Sequence, residues 1–197
     1  LQRPYATYIG LEAAAEWARI FEPLTIPGQL QTEAYIRAIT RTNTRALTDT
    51  EINRLTEVRL RRQDVVIHGD DPLRLHVVMD EAALRREVGG PAIMRDQVDR
   101  LLEAADHPRI RIQILAFTQG AHVSMAGSFT IFSFPDEADP DVAFIETMAG
   151  SLFLERPAEV RSARETFDEL SAQALSPADS AAVLTTISAE YARRCTQ

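Results

Sequence analysis

The stretch "RIRIQILAFTQGAHVSMAGSFTIFSF", residues 109–134, decides the fold because it carries two strand patterns around one loop. In "RIRIQIL" three isoleucines alternate with arginine or glutamine, which is typical of a strand with one buried face. "SFTIFSF" indicates a second strand, and the connection is broken by Gly120 and Gly127, which favour a tight turn. These patterns predict that a sheet forms the middle of the molecule.

Strand and helix patterns alternate along the rest of the chain. Further strands are predicted for "LRLHVVM", "VAFIETM" and "SLFLE", which cover residues 73–79, 142–148 and 151–155. Apolar residues at helical spacing predict helices over residues 5–21, 29–40, 49–68, 80–90, 91–106, 159–175 and from Ser176 onward. This order predicts an α+β fold with N-terminal helices, a mostly antiparallel sheet of about four to five strands, and C-terminal helices.

The length of 197 residues suits one continuous domain. Within it we expect an N-terminal helical segment, residues 1–69, that packs on an α+β core, residues 70–197. The C-terminal helices belong to that core.

The composition excludes several classes of chemistry. All 21 basic residues are arginine, so this segment has no Schiff-base lysine and no phosphate-loop lysine. The single cysteine, Cys195, excludes an intrachain disulfide and a thiolate metal cluster, and it favours a cytoplasmic location. A net charge of -8 disfavours nucleic-acid binding by this segment. No apolar run approaches the roughly 18–20 residues that cross a bilayer.

Five pieces of the sequence together resemble one family. They are "YIGLEAAAEWARIFEPLTIPGQLQTEAYIRA", "EVRLRRQ", "VVMDEAALRREVGG", "RIQILAFTQGAHVSMAGSFTIFSFPD" and "FIETMAGSLFLERPAEV". In matching order, from Tyr8 to about Leu184, they are similar to the C-terminal domain of unknown function of actinobacterial helix-turn-helix regulators of the Cro/repressor type. The resemblance implies an antitoxin-like transcriptional regulator, a DNA-reading domain ahead of this segment, and a small partner protein encoded nearby. It brings no set of catalytic residues.

His122, in the glycine-broken loop, is open to three interpretations. A general base needs a substrate proton within hydrogen-bond reach and a carboxylate that fixes its tautomer. Three carboxylates could serve in this way, namely Asp80, Glu81 and Glu146. The loop has no G-x-S-x-G nucleophile motif. His122 could instead contact a ligand or partner together with Met125, or it could be a structural loop residue.

Asp80 and Glu81 stand where a strand becomes a helix. Asp80 is expected to cap that helix, and Glu81 is expected to pair with Arg85 one turn later. The alternative is functional: the two carboxylates could form an acid/base pair, and Arg85 with Arg86 could clamp an anionic ligand.

Glu146 interrupts the apolar pattern of "VAFIETM". A carboxylate buried in a central strand needs a partner, and Arg109 or Arg111 of the "RIRIQIL" strand is the expected one. The alternative is an acid that lines a pocket. The helix "NRLTEVRLRRQD", residues 53–64, carries four arginines that are expected to form a salt-bridged face with Glu57, or else to contact phosphates.

From these observations we expect a regulatory domain that dimerises and senses an effector. The expected partners are a second copy of the chain, a small-molecule effector, a small partner protein, and DNA only through the N-terminal domain. We expect no membrane contact, no cofactor and no metal. The alternative is a stand-alone enzyme, derived from such a regulator, that acts on a small metabolite by general acid/base chemistry.

Overall fold

A mixed sheet forms the middle layer of the computed structural model, which describes residues 3–43, 47–69, 72–136, 138–147 and 149–196. Within these ranges the sheet has six strands: β1 (Trp17–Glu22), β2 (Arg74–Asp80), β3 (Ile110–Leu115), β4 (Phe129–Ser133), β5 (Val142–Thr147) and β6 (Gly150–Leu154). They are arranged in the order β3-β2-β1-β4-β5-β6. The pairs β1·β2 and β2·β3 are parallel, and the other three pairs are antiparallel.

Helices cover both faces of this sheet. They are α1 (Arg3–Ala14), α2 (Glu33–Asn43), α3 (Asp49–His68), α4 (Glu81–Arg85), α5 (Pro91–Ala105), α6 (Pro157–Gln173) and α7 (Pro177–Arg194). The predicted α+β class, with helices at both ends of the chain, is confirmed. The two parallel pairs arise because α2 with α3, and α4 with α5, form the crossovers that parallel strands require.

The helix predicted over residues 5–21 is wrong in its second half, because α1 ends at Ala14 and β1 follows. β1 has neighbours on both sides and is covered on both faces. Buried strands of this kind lack a polar face, so their apolar run resembles a buried helix segment. The N-terminal segment therefore supplies a central strand as well as helices. The boundary predicted between residues 69 and 70 stays a prediction, and residue 70 lies outside the described residues.

The two faces of the sheet carry separate cores. On the first face, Ile110, Ile112 and Ile114 of β3 pack in a large core with α5 and α7, as their alternation predicts. On the second face, Phe21 and Phe167 belong to a smaller core under α6. The N-terminal helices lie on the first face, and this placement creates the cleft described below.

Capping side chains set the start of two helices where the sequence predicts them. The Thr48 backbone N–H donates to Glu51 Oε2 at 2.8 Å, and the Glu51 N–H donates to Thr48 Oγ1 at 3.3 Å. This reciprocal pair begins α3. Ser176 Oγ accepts from the Asp179 N–H at 3.1 Å and begins α7. Across the described ranges, every helix is too short or too polar to span a lipid bilayer.

Candidate functional site

The side chains proposed from the sequence lie at one end of the sheet but on both of its faces. Asp80 ends β2, and His122 lies in the loop between β3 and β4. The His122 ring packs edge-on against Phe21, with 5.4 Å between ring centroids, so it belongs to the second face. Glu146 lines a cleft on the first face, together with Glu22. The sheet therefore lies between His122 and Glu146.

Both ring nitrogens of His122 face groups of the protein. Nδ1 accepts from the Ser124 backbone N–H at 3.3 Å, so the proton of the neutral ring is assigned to Nε2. Nε2 lies 3.8 Å from Asp80 Oδ2, which confirms that Asp80 comes near His122 in space. The His122 side chain is only 6% exposed. This geometry favours a residue that anchors its loop.

Asp80 and Glu81 make the contacts that the capping interpretation predicts. Asp80 Oδ1 accepts from the Ala82 N–H at 2.7 Å and caps α4. Glu81 Oε1 pairs with the Arg85 guanidinium at 2.9 Å, while Glu81 Oε2 accepts from the Phe117 N–H at 3.0 Å. The two carboxylates therefore tie the start of α4 to the loop that carries His122.

The remaining candidates of this region lie away from the cleft. Arg85 also pairs with Glu190 of α7, so its charge is shared between two carboxylates. Arg86 is exposed where α4 ends, and Met125 is 70% exposed at the surface of its loop. Neither Arg85 nor Arg86 lines the cleft.

The predicted ion pair of Glu146 with Arg109 or Arg111 is wrong. β3 is one edge of the sheet, and β5 lies four strand positions away. At about 4.8 Å per strand this separates them by roughly 19 Å, far beyond ion-pair distance. Arg109 instead donates to the carbonyl oxygen of Pro72 at 2.9 Å. Glu146 is exposed and lines the cleft, as the pocket interpretation of this residue requires.

A cleft of about 670 Å³ lies between the N-terminal helices and the first face of the sheet. Its walls come from α1, from the segment between β1 and α2, from α3, and from β4, β5 and β6. A volume of this size is typical of small-molecule sites. The cleft contains charged groups of both signs.

The acidic side of the cleft is built on the ends of the strands. Glu22 is the last residue of β1, and the register of β5 and β6 places Glu146 opposite Ser151. The Thr25 hydroxyl donates to Glu22 Oε2 at 3.3 Å. Burial, reinforced by the negative charge of Glu146, raises the pKa of Glu22 to about 8. At neutral pH this carboxyl is therefore mostly protonated.

The basic side of the cleft is a buried ion pair between α3 and α1. Arg62 Nε lies 2.7 Å from Glu12 Oε2, and the two side chains are 8% and 0% exposed. Gln29 donates to Glu12 Oε1 at 2.5 Å, and Arg62 donates to the Tyr5 hydroxyl at 2.9 Å. Burial raises the pKa of Glu12, and the charge of Arg62 opposes that effect. The pair fixes α1 against α3 and neutralises most of the charge of Arg62.

Aromatic rings form the apolar wall between these two sides. The Tyr8 ring packs edge-on against Phe132 and Phe144, with centroid distances of 5.2 and 4.8 Å. Burial, followed by the charge of Glu12, raises the pKa of Tyr8, so its hydroxyl stays protonated. Arg59 reaches the same cleft and donates to Gln31 Oε1 at 2.9 Å.

The comparison with protein families gives one match. The family model described as a domain of unknown function (DUF5753) matches residues 5–186. The chain belongs to this family. Neither the curated proteins nor the solved structures contain a match to this DUF5753 chain.

The donor groups of this DUF5753 chain do not gather as metal ligands. Within the described ranges no three histidine, cysteine, aspartate or glutamate side chains are placed so that they could share an ion. The cleft holds two carboxylates, two guanidinium groups, hydroxyls and aromatic rings, which is a chemistry suited to binding an organic molecule.

Sequence reasoning misses two carboxyl groups of this region, Glu22 in the cleft lining and Glu12 behind Arg62. Glu22 is missed because the sequence of its strand resembles a helix, so the sequence does not predict that Glu22 lies on a face of the sheet. Glu12 does leave a signal: it lies four residues after Tyr8, on the apolar side of α1. A carboxylate at such a position needs a buried partner. The sequence does not reveal that Arg62 is that partner, because the two are 50 positions apart.

Proposed function

We propose that this chain is the effector-sensing and dimerising domain of an antitoxin-like, helix-turn-helix transcriptional regulator. The observation that carries the proposal is the cleft of about 670 Å³ between the N-terminal helices and the sheet. The family resemblance supports the regulatory part, because it implies a DNA-reading domain ahead of α1.

The position of the cleft suits a sensor. A ligand shifts a conformational equilibrium only by its difference in affinity for the two states. A ligand in this cleft contacts α1, α3 and the sheet together, so its affinity depends on how α1 sits against the sheet. α1 is also the element that would follow the DNA-reading domain. An occupant could thereby change the spacing of two DNA-reading domains in a dimer, and with it the affinity for paired half-sites.

The enzyme alternative gains no support from the residues predicted for it. His122 has both ring nitrogens directed at protein groups, and Glu146 lies on the other face of the sheet. Asp80 and Glu81 cap and brace α4. His122, Asp80 and Glu81 are thus explained by contacts within the protein, and Glu146 lies on the other side of the sheet from them.

The effector site is tested by a small-molecule library and two variants. Ser151→Trp places a large ring in the cleft, whereas Leu152→Trp adds the same ring one residue later, on the opposite face of β6. We expect library members that raise the melting temperature of the parent chain and of Leu152→Trp but not of Ser151→Trp. Hits that stabilise all three proteins equally, or an absence of hits, would contradict the proposal.

The dimer is tested separately by sedimentation equilibrium of the chain. If the chain is a monomer at concentrations up to the high micromolar range, the dimerising role is contradicted. The effector site is then tested by the ligand-binding experiment alone.

A further inference from the structure

We propose that the cleft recognises a molecule that carries a protonated amine on an apolar body, with the Glu22 carboxylate as the counter-ion of the ammonium group. The inference rests on the proposed function, in which this cleft is the effector site, and it specifies the chemistry of the effector.

Glu22 is the enclosed carboxyl group of the cleft, and it has no ion-pair partner among the described basic side chains. Protein surrounds it on most sides, and it reaches solvent through the cleft. Its contact is one long hydrogen bond from Thr25, and none of the basic side chains in the described ranges forms an ion pair with it. A ligand cation would supply the missing charge, and charge-assisted hydrogen bonds are about twice as strong as neutral ones.

The basic groups of the cleft are already engaged, which disfavours an anionic ligand. Arg62 pairs with the buried Glu12 and donates to Tyr5. Arg59 donates to Gln31. While the Glu22 carboxyl is protonated, the carboxylates of Glu12 and Glu146 balance the two guanidinium groups. When Glu22 ionises, the unmatched charge of this region is negative.

The size and lining of the cleft require more than a bare ammonium ion. About 670 Å³ holds a molecule of many non-hydrogen atoms. Tyr8 and Phe144 offer ring faces and edges, and Leu55 contributes an aliphatic side chain that is 37% exposed. Aromatic and aliphatic surface of this kind binds an apolar body, and ring faces attract a cation as well.

The protonation of Glu22 gives this mode of binding a measurable signature. With a pKa near 8, the carboxyl holds its proton at pH 7. An ammonium ion stabilises the carboxylate, so the O–H proton leaves to the buffer as the ion pair forms. Two titratable groups interact electrostatically with Glu22, namely Glu146 of β5 and Tyr35 of α2. Tyr8 of α1 and two arginines of α3, Arg59 and Arg62, line the same cleft.

Three probes that share an indole body test the inference: tryptamine, tryptophol and indole-3-acetate, which end in an ammonium, a hydroxyl and a carboxylate group. Isothermal titration calorimetry of the unmodified chain at pH 7, in two buffers of different ionisation enthalpy, reports affinity and proton release together. We expect tryptamine to bind at least about tenfold more tightly than either analogue. We also expect its binding to release nearly one proton, and its affinity to rise between pH 6 and pH 8.

Two variants locate the effect. Glu22→Gln should lower the affinity for tryptamine by about tenfold or more and abolish proton release, while leaving tryptophol binding unchanged. Glu165→Gln, an exposed position on α6, is the matched control and should behave like the parent. Proton release is measured on the unmodified chain, so this test does not depend on whether Glu22→Gln folds.

The outcomes separate this inference from the proposed function. If tryptophol or indole-3-acetate binds as tightly as tryptamine or more tightly, the inference that the ligand is an amine is wrong, but the effector site is not contradicted. The same conclusion holds if none of the three probes binds while library members do bind and Ser151→Trp abolishes their binding. Tryptamine binding without proton release, or binding insensitive to both Glu22→Gln and Ser151→Trp, also overturns the inference. If the library finds no ligand for the cleft, the proposed function fails with it.

Discussion

At the scale of single residues, Glu22 couples the stability of the chain to pH. Burial raises its pKa from 4.5 to about 8, so between these values the folded chain holds a proton that the unfolded chain has lost. The contribution of Glu22 to stability is therefore complete below about pH 4.5 and falls as the pH rises towards 8. The slope is at most about 1.4 kcal/mol per pH unit, and water in the cleft reduces it.

Glu22→Gln should remove this dependence, because an amide resembles the protonated carboxyl and does not ionise. We expect the variant and the parent to unfold at similar urea concentrations at pH 5, and the variant to be the more stable of the two at pH 8. Glu165→Gln serves as control. Parallel stability curves for the parent and Glu22→Gln from pH 5 to pH 9 would contradict the assigned pKa.

The buried ion pair between Glu12 and Arg62 is a second contribution to stability at the scale of single residues. Arg62→Met leaves Glu12 enclosed without its cation, and breaking a buried pair in this way costs about 3–5 kcal/mol. The double variant Glu12→Gln with Arg62→Met removes both charges, so it should be destabilised by less than the sum of the two single variants. Urea unfolding of the four proteins measures the coupling. Strictly additive changes would show that the two side chains do not stabilise each other.

At the scale of elements, the start of α4 controls the loop that carries His122. Asp80 caps the helix through Ala82 and lies beside the histidine ring. Asp80→Ala removes both contacts and should cost about 1–2 kcal/mol, whereas Asp80→Asn keeps a capping oxygen and should cost a few tenths. Hydrogen exchange of the amides between residues 117 and 128 should accelerate more in Asp80→Ala. Equal exchange in the two variants would mean that the cap does not anchor the loop.

The same scale shows which elements a sequence can predict. α3 and α7 begin where Thr48 and Ser176 supply side-chain oxygens, and these signals are local in the sequence. β3 is equally clear, because its isoleucines pack in the core on the first face while Arg111 between them is exposed. β1 is hidden because its identity as a strand depends on pairing with residues 74–79 and 129–133, which are distant in the chain.

At the scale of the whole molecule, the candidate site depends on the order of strands more than on any motif. The proximity of Asp80 to His122 could be predicted, because Asp80 ends β2, His122 follows β3, and the two strands end on the same side of the sheet. The arginine partner predicted for Glu146 is wrong because three other strands separate β3 from β5, and the sequence does not reveal this order of strands. The cleft itself joins α1, β1, α3 and β5, so its chemistry emerges only when these distant segments pack together.

The last prediction concerns the cooperativity of the whole fold. Ile112 is 2% exposed on β3 and packs in the large core on the first face. Ile112→Asp would bury a carboxylate without a partner, at a cost of several kcal/mol against a total stability of about 5–15 kcal/mol, so we expect it to unfold the chain. Arg111→Asp, at the exposed neighbouring position, introduces the same side chain and should remain folded.

Circular dichroism and the fluorescence of the single tryptophan, Trp17, measure this outcome in two parts of the molecule. Trp17 lies on β1, within the N-terminal segment, whereas Ile112 lies in the C-terminal core. Because β1 is the centre of the sheet that β3 completes, both signals should be lost together in Ile112→Asp. A native tryptophan spectrum beside a collapsed dichroism signal would instead show that residues 1–69 fold independently of the core.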